Sequence, residues 1–205
     1  MSEIVIIDYG MGNLRSVQKK FERINVYAEV TGDLNKIKNA GRIVLPGVGH
    51  FANGVKNLKE SGIWDVLNER VIADKIPIIG ICLGMQLMAR TSEEGDVEGF
   101  GWFDANVVRF KVSDKIKFKI PQMGWNNIII RKASPFFTGI NPEDQFYFVH
   151  SYHWVCNNPD DELTATEYDY EFTSSVLREN ILGVQFHPEK SHDQGEKLLK
   201  NFINF

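Results

Sequence analysis

The sequence predicts an α/β fold with a mostly parallel central sheet flanked by helices and an additional antiparallel β layer. Strand-like and helix-like segments alternate at short spacing through the first half of the chain. The segment IPIIGIC at 76–82 is apolar throughout, as is typical of a strand in a parallel sheet covered on both faces. The second half instead carries short β-branched and aromatic runs separated by turn residues, which predicts the antiparallel layer.

The elements of the first half follow from hydrophobic spacing and turn residues. They are strands at 3–8, 26–30, 42–47 and 76–82, and helices at 14–24, 50–73 and 83–91, the second of these helices being broken near Gly62. In the second half the strand-like runs are NVVRF, NNIIIR, QFYFVHSYHWV, LTATEY, FTSSVL and ILGVQF, followed by a helix in DQGEKLLKNFINF. No repeat or linker interrupts them, so we expect residues 1–205 to form a single domain.

Composition excludes several classes of function. The chain has 205 residues, 43% hydrophobic and 24% charged, with a formal net charge of −4, which is ordinary for a soluble globular protein. We find no basic block, and therefore expect no nucleic acid partner. No apolar run approaches the roughly 18 residues that span a bilayer. The start MSEIVIIDYG lacks the pattern of a signal peptide, so we expect a cytoplasmic protein.

Metal and cofactor sites are not predicted. Two cysteines, Cys82 and Cys156, are too few for a disulfide framework, and the five histidines do not cluster with them at the short spacing of a zinc site. The pair Gly10-x-Gly12 invites a dinucleotide reading, but Arg15 stands where that fingerprint needs a third small residue. We treat Cys156 as a small apolar filler in a strand.

The strongest candidate for chemistry is Gly80-x-Cys82-x-Gly84, where a strand meets a helix. Small residues two positions either side of a nucleophile allow the sharp turn of a nucleophile elbow. The turn places the thiol at a helix N-terminus, where free N–H groups favour a thiolate and the amide of Leu83 could stabilise an oxyanion. Taken alone, the pattern indicates a buried packing cysteine more often than a nucleophile.

A candidate base follows near the C-terminus, in GVQFHPEKS at 183–191. In extended backbone, residues two apart point the same way, so His187 and Glu189 can share one side of the chain, and Pro188 favours that extended conformation. A carboxylate beside an imidazole is the pairing found in catalytic triads. The competing interpretation is a surface histidine followed by solvated charges.

A third candidate is the loop LPGVGHF at 45–51. Glycines on both sides of Val48 allow backbone N–H groups to face a ligand, and Val48 or Gly49 could supply the second oxyanion donor. A plain Pro-Gly turn is the simpler interpretation.

With these motifs in this order, the sequence resembles the class I glutamine amidotransferases, and within them the glutaminase subunits of imidazole glycerol phosphate synthases. The matching segments are DYGMGN (8–13), LPGVGHF (45–51), GICLGMQ (80–86), PQMGWN (121–126), YFVHSY (147–152) and GVQFHPEKS (183–191). They cover nearly the whole chain.

The resemblance implies that L-glutamine is hydrolysed to glutamate and ammonia through a thioester. Cys82 would be the nucleophile, His187 the general acid and base, and Glu189 the residue that orients it. Leu83 and the Val48–Gly49 amides would hold the oxyanion, the latter after a peptide rotation. The residues expected to bind substrate are Gly47, Gln86, Glu94, Ser151 and Tyr152.

The resemblance also implies a partner, a cyclase (β/α)8-barrel subunit that receives the ammonia and forms a heterodimer with this chain. The matching interface positions are Met123, Trp125, Asn126, Tyr147 and Lys190. Core packing is the other interpretation of Trp125.

Two other functions are considered. Gln122 stands where the family more often has histidine, at a position expected to face the partner, and the C-terminal part also resembles paralogues that supply ammonia for an acetamidino sugar of the cell surface. A catalytically silent regulatory subunit is the alternative from another class, and the intact set of Cys82, His187 and Glu189 disfavours it.

Overall fold

The structure is a computed structural model that describes residues 4–205. Glu3, the first residue of the predicted first strand, lies outside the described residues, as does the start of the segment assessed for a signal peptide. The helices are α1 Leu14–Arg23, α2 Leu34–Asn39, α3 Phe51–Glu60, α4 Ile63–Asn68, α5 Leu83–Gln86 and α6 His192–Ile203. The strands are β1 Ile4–Ile7, β2 Ala28–Thr31, β3 Arg42–Gly47, β4 Ile78–Cys82, β5 Thr91–Ser92, β6 Val97–Glu98, β7 Ala105–Arg109, β8 Gln122–Asn127, β9 Ile129–Ile130, β10 Gln145–His150, β11 Tyr152–Cys156, β12 Glu162–Tyr168, β13 Tyr170–Arg178 and β14 Ile181–Val184.

One half of the main sheet is parallel, in the order β2-β1-β3-β4-β14. Its helices cover both faces: α2, α3 and α4 contribute to the core on one side, and α1 and α6 to the core on the other. All five residues of β4 are buried, which explains its unbroken apolar sequence. The predicted α/β fold is therefore confirmed.

The other half is largely antiparallel. Beyond β14 the sheet continues through β13, β11 and β7, and β8 and β10 form a separate two-stranded sheet. The latter pair is in register at Trp125 and Tyr147, which places these side chains opposite each other. This is the predicted antiparallel layer. Among residues 4–205, no helix combines the length and apolar character needed to cross a membrane.

Two helix predictions were inaccurate. The helix expected at 83–91 ends at Gln86, because the carbonyl oxygens of Leu87, Met88 and Ala89 accept hydrogen bonds from the loop at 100–103 and not from a further helical turn. Helix α2 was not predicted from the sequence. Its start is stabilised by Asp33, whose carboxylate accepts from the amides of Asn35 (2.8 Å) and Lys36 (3.1 Å).

Candidate active site

Cys82 occupies a sharp turn at the end of β4. Its backbone has φ 55° and ψ −108°, a conformation that non-glycine residues rarely adopt, and α5 begins at the next residue. A Cβ atom at Gly84 would lie 1.7 Å from the carbonyl oxygen of Leu45, and one at Gly80 would lie 2.8 Å from the carbonyl of Gly84. Both glycines are thus required for the close approach of α5 to the sheet, and the predicted elbow is present.

His187 and Glu189 form a buried pair just after β14. His187 Nδ1 and Glu189 Oε1 are 2.7 Å apart, and the two side chains are only 2% and 3% exposed. The hydroxyl of Ser191 donates to the carbonyl of His187 (2.6 Å) and accepts from the amide of Tyr147 (3.0 Å), which ties this segment to β10. The interpretation of His187 as a surface residue is therefore excluded.

The electrostatics of His187 favour its charged form. Burial by itself lowers the pKa of the imidazole, but the nearby Cys82 thiolate and the Glu189 carboxylate outweigh burial and raise the pKa of His187 to about 10. Its Nε2 has no hydrogen-bond partner within residues 4–205, so this atom is available for proton exchange. The arrangement favours the protonated imidazole of His187 at neutral pH.

A cavity of about 350 Å³ opens above Cys82. All of the predicted oxyanion and substrate residues line this cavity except Gly47. Three further residues, Pro121, Val149 and His150, also line it and were not predicted. The lining consists of Val48, Gly49, Cys82, Leu83, Gln86, Glu94, Pro121, Val149, His150, Ser151 and Tyr152. Segments from five separate stretches of the chain therefore meet around the thiol.

Hydrogen bonds hold the polar walls of this cavity. Gln86 Nε2 donates to the carbonyl oxygen of Tyr152 (3.0 Å), and Glu94 Oε2 accepts from the amide of Phe51 at the start of α3 (2.7 Å). The Tyr152 carbonyl also accepts from His150 Nδ1 (2.7 Å). The Tyr152 carbonyl thus fixes the side chains of Gln86 and His150. Glu94, which lines the cavity, has a second carboxylate oxygen that does not take part in the hydrogen bond to Phe51.

The loop after β3 lies beside the thiol. Gly47 is the register partner of Cys82, and Gly49 has φ 119°. A Cβ atom at Gly47 would lie 2.3 Å from the hydroxyl of Tyr9, so only glycine allows this packing. Tyr9 was not predicted as a site residue; its hydroxyl is buried and has no hydrogen-bond partner among the residues described. Gly47 supports the loop from behind the cavity.

Two further residues at the site were missed from the sequence. Gln185 is fully buried, and its Nε2 lies 3.6 Å from Cys82 Sγ. It stands two positions before His187, so the alternation that paired His187 with Glu189 would also have placed Gln185 on that side. His150 is also buried. Burial is the main reason that its pKa is lowered to about 3, so the ring is neutral.

Gln122 does not face a partner, which corrects the expectation for this position. It is 3% exposed and is the cross-strand neighbour of His150. Strand alternation turns its side chain inward while Met123 and Trp125 point outward, because successive side chains of a strand lie on opposite faces.

The outward face of the β8–β10 sheet, which we call the β8–β10 face, carries four of the predicted interface residues: Met123, Trp125, Tyr147 and Lys190. Met123 and Trp125 are 64% and 41% exposed; Trp125 contacts the ring of Tyr147, and Lys190 Nζ lies 5.3 Å from the centre of that ring. Core packing of Trp125 is excluded. The structure does not bring Asn126 to this face, since its amide donates to the carbonyl of Glu167 on β12 (2.8 Å).

Cys156 lies apart from the site, in β11 as expected. It is half-buried, its thiol donates to the carbonyl of Asn158 (3.1 Å), and burial raises its pKa to about 11. The residue is thus hydrogen-bonded as well as packed, and it is a poor nucleophile at neutral pH.

A basic groove of about 680 Å³ lies between residues 109–112 and 115–120. Residues 109–119 contain five Lys or Arg and one Asp, so the chain does have a basic block, and the expectation that it has none was wrong. The groove contains none of the residues around Cys82.

Comparisons with known proteins agree with this geometry. The family Glutamine amidotransferase class-I matches residues 5–205. The chain is 48% identical over 200 residues to imidazole glycerol phosphate synthase subunit HisH 2 of Methanococcus maripaludis. It is 46% identical over 204 residues to imidazole glycerol phosphate synthase subunit HisH of Sulfurimonas denitrificans. Each alignment covers 98% of this chain and 98% of the relative.

Among solved structures, PurLQS from Thermotoga maritima superposes with a TM-score of 0.73 at 16% identity, covering 100% of this chain and 99% of that one. At this identity the likeness concerns the fold alone. The match over residues 5–205, the identity to these relatives and the arrangement around Cys82 lead to one conclusion: the chain belongs to the class I glutamine amidotransferase family.

Proposed function

We propose that this chain is the glutaminase subunit of an imidazole glycerol phosphate synthase, which hydrolyses L-glutamine and passes the ammonia to a cyclase barrel subunit. The observation that carries the proposal is the strained Cys82 elbow in a cavity of about 350 Å³, close to the buried pair of His187 and Glu189. The names of the relatives at 46–48% identity support the same function.

The reactive state has the proton of Cys82 Sγ on His187 Nε2, which the raised pKa of His187 favours. Glu189 stabilises the resulting imidazolium through the hydrogen bond to Nδ1, and the imidazolium stabilises the thiolate. The thiolate then attacks the side-chain amide carbon of glutamine, and the carbonyl oxygen becomes an oxyanion.

Backbone amides stabilise that oxyanion. Leu83 N–H is the first amide of α5 and directly follows the nucleophile, so we assign it as the first oxyanion donor. A second donor comes from Val48 or Gly49, once the flexible glycine backbone turns it toward the thiol. His187 then gives its proton to the leaving ammonia, a γ-glutamyl thioester remains, and His187 activates water to release glutamate.

The other end of glutamine is bound by Gln86, Glu94 and the strand at Ser151 and Tyr152. The carboxylate of Glu94 suits the α-ammonium group of the substrate, and Gln86 is held in place by Tyr152. These contacts select an amino acid whose side-chain amide reaches Cys82.

Ammonia released into water would be protonated and lose its nucleophilicity, so transfer through a closed interface is favoured. The exposed aromatic and apolar side chains of the β8–β10 face, Met123, Trp125 and Tyr147, suit an interface with a barrel subunit. A cytoplasmic location accords with such a biosynthetic role and is part of the proposal.

The proposal is tested with Cys82→Ala, for which we expect loss of glutamine hydrolysis with an unchanged circular dichroism spectrum. Glutamate and ammonia formation are measured in the presence of the barrel subunit, with Cys156→Ala as the matched control that retains activity. Near-normal hydrolysis by Cys82→Ala would contradict the mechanism, and an inactive but barrel-binding wild-type chain would instead favour the silent regulatory subunit.

The acceptor of the ammonia is tested separately. The likeness of the C-terminal part, YDYEFTSSV and HPEKSHDQG, to the acetamidino-sugar paralogues keeps that function as the second candidate. We expect the complex with the cognate barrel subunit to form imidazole glycerol phosphate from glutamine. Failure of this synthesis while glutamine hydrolysis is intact would favour the paralogue.

A further inference from the structure

We propose that Gln185 donates a hydrogen bond to Cys82 that favours the thiolate, and that it connects the nucleophile to the substrate-binding residue Gln86. The inference rests on the proposed function in one respect, that Cys82 is the nucleophile. Its basis is a continuous chain of hydrogen bonds from the Tyr152 carbonyl through Gln86 and Gln185 to Cys82 Sγ.

The sheet register places Gln185 beside the thiol. Val184 on β14 is the partner of Ile81 on the parallel strand β4, so the next residues along, Gln185 and Cys82, stand level with each other. The amide of Gln185 also donates to the carbonyl of Ser174 (2.9 Å), which fixes its backbone. With no exposure to solvent, its side chain depends on partners inside the protein.

The orientation of the Gln185 amide follows from its neighbours. The carbonyl of Tyr152 can only accept, so the group of Gln86 that faces it at 3.0 Å must be the amino group. The same amino group lies 3.0 Å from Gln185, and that contact requires the oxygen Oε1 of Gln185. The amino group Nε2 of Gln185 therefore points to Cys82 Sγ at 3.6 Å.

The consequence is a fixed donor at the reacting atom. A buried N–H group stabilises a sulfur anion more than a neutral thiol, so it favours transfer of the proton from Cys82 Sγ to His187 Nε2. Because Gln86 lines the cavity and holds the Gln185 oxygen, its displacement would release the donor. Correct seating of the amino-acid end of the substrate is thereby connected to the state of the thiol.

The experiment uses the full chain with Gln185→Met, which preserves length and removes the donor. The rate of Cys82 alkylation by iodoacetamide is measured from neutral to alkaline pH. At neutral pH we expect alkylation about tenfold slower than in the wild type, and at high pH no deficit, since all thiols are then ionised. A structural disturbance alone would change the rate at all pH values.

The matched control is Gln18→Met. Like Gln185, Gln18 donates one side-chain hydrogen bond, but its acceptor is the backbone carbonyl of Ala28 (3.2 Å), and it lies on α1, away from the cavity. We expect a wild-type alkylation profile for this variant. A second comparison separates the roles of the two glutamines: Gln185→Met should lower kcat for glutamine with little change in KM, whereas Gln86→Met should raise KM.

Alkylation of Gln185→Met with the wild-type rate and pH profile would overturn the proposal. If this variant does not fold, the wild-type chain with 15N-labelled glutamine side chains is titrated by NMR. One side-chain amide should follow the ionisation of Cys82 and lose that response in Cys82→Ala, and absence of such a signal overturns the proposal too. Alkylation of Cys82 requires no glutamine turnover. This experiment therefore tests the role of Gln185 even if the chain does not hydrolyse glutamine, and the two failures can be told apart.

Discussion

The charge on His187 is the residue-scale feature on which the chemistry depends. A buried imidazole ordinarily loses its proton, yet here the pKa rises to about 10, because the Cys82 thiolate and the Glu189 carboxylate together exceed the cost of burial. The folded chain therefore holds this proton more tightly than the unfolded chain. The stabilisation of the fold from this proton is complete below pH 6.5 and is lost as the pH rises through about 10.

Glu189→Gln tests this balance with an isosteric change. The amide oxygen can still accept from Nδ1, but its negative charge is gone, so the pKa of His187 falls. Because His187 must be protonated when ammonia leaves, the alkaline limb of the kcat/KM profile should move roughly one pH unit or more toward neutral. At pH values above the wild-type pKa of about 10, where the protonated fraction of His187 limits the rate, we expect kcat/KM to fall by about tenfold.

The control for this prediction is Glu179→Gln, which removes a surface carboxylate paired with Lys75. Its pH profile should match that of the wild type. An unchanged alkaline limb in Glu189→Gln would show that the carboxylate charge does not hold the proton of His187.

Among the secondary-structure elements, the junction of β4 and α5 depends on the lack of a side chain at Gly84. Gly84 lies against the carbonyl oxygen of Leu45 on β3, and this contact lets the first turn of the helix rest on the sheet. The short helix is itself a consequence of tertiary structure, since the loop at 100–103 takes the carbonyls that a further turn would use.

Gly84→Ala should therefore be strongly destabilising. The added methyl group meets backbone, which cannot move aside, so we expect the free energy of unfolding in urea to fall by more than about 3 kcal/mol. Gly54→Ala on α3 is the control, because the nearest atoms to the new Cβ are side-chain methyl groups of Leu87 (3.3 Å) and Leu83 (3.5 Å), and the helix favours alanine. Equal stability of the two variants would refute the close approach.

The β8–β10 face offers a second prediction at this scale. Trp125→Ala removes a large exposed ring that contacts Tyr147 and stacks on His192, so binding of the barrel subunit should weaken at least about tenfold by calorimetry. Tyr27→Ala, which removes another exposed aromatic ring, serves as the control. Equal affinity of both variants and the wild type would place the interface elsewhere.

At the scale of the whole molecule, parallel topology concentrates the site at one edge of the sheet. The adjacent strands β3, β4 and β14 all end there: β3 leads into the Val48 loop, β4 ends at Cys82, and β14 leads into the segment with Gln185 and His187. Carboxyl ends of parallel strands are the usual location of ligand sites in such sheets. The β8–β10 sheet adds the cavity wall that carries His150.

This arrangement predicts that the isolated chain is a poor glutaminase. Val48 is 41% exposed and the adjacent Gly49 allows several backbone conformations, so the second oxyanion donor is not held in place. A barrel subunit with its ligand should raise kcat on the order of a hundredfold, the value of one such donor. Full activity without a partner would contradict this, and the Cys82→Ala complex provides the background rate.

Local patterns were sufficient for much of the site. The glycines around Cys82 predicted the elbow, and the i, i+2 spacing of His187 and Glu189 predicted a pair that the structure holds at 2.7 Å. Both rest on backbone geometry within a few residues. Asn126 shows the limit, because a motif does not tell which strand its side chain will meet.

The class of chemistry could be read from local sequence, since a thiol on a strained turn and an imidazole beside a carboxylate are local arrangements. The groups that surround the thiol are set by contacts between distant strands. Gln185 reaches Cys82 across 103 positions of the chain, and Gln122 turns inward beside His150 rather than toward a partner. These contacts depend on the register between strands distant in sequence, and that register is fixed only when the whole core is assembled.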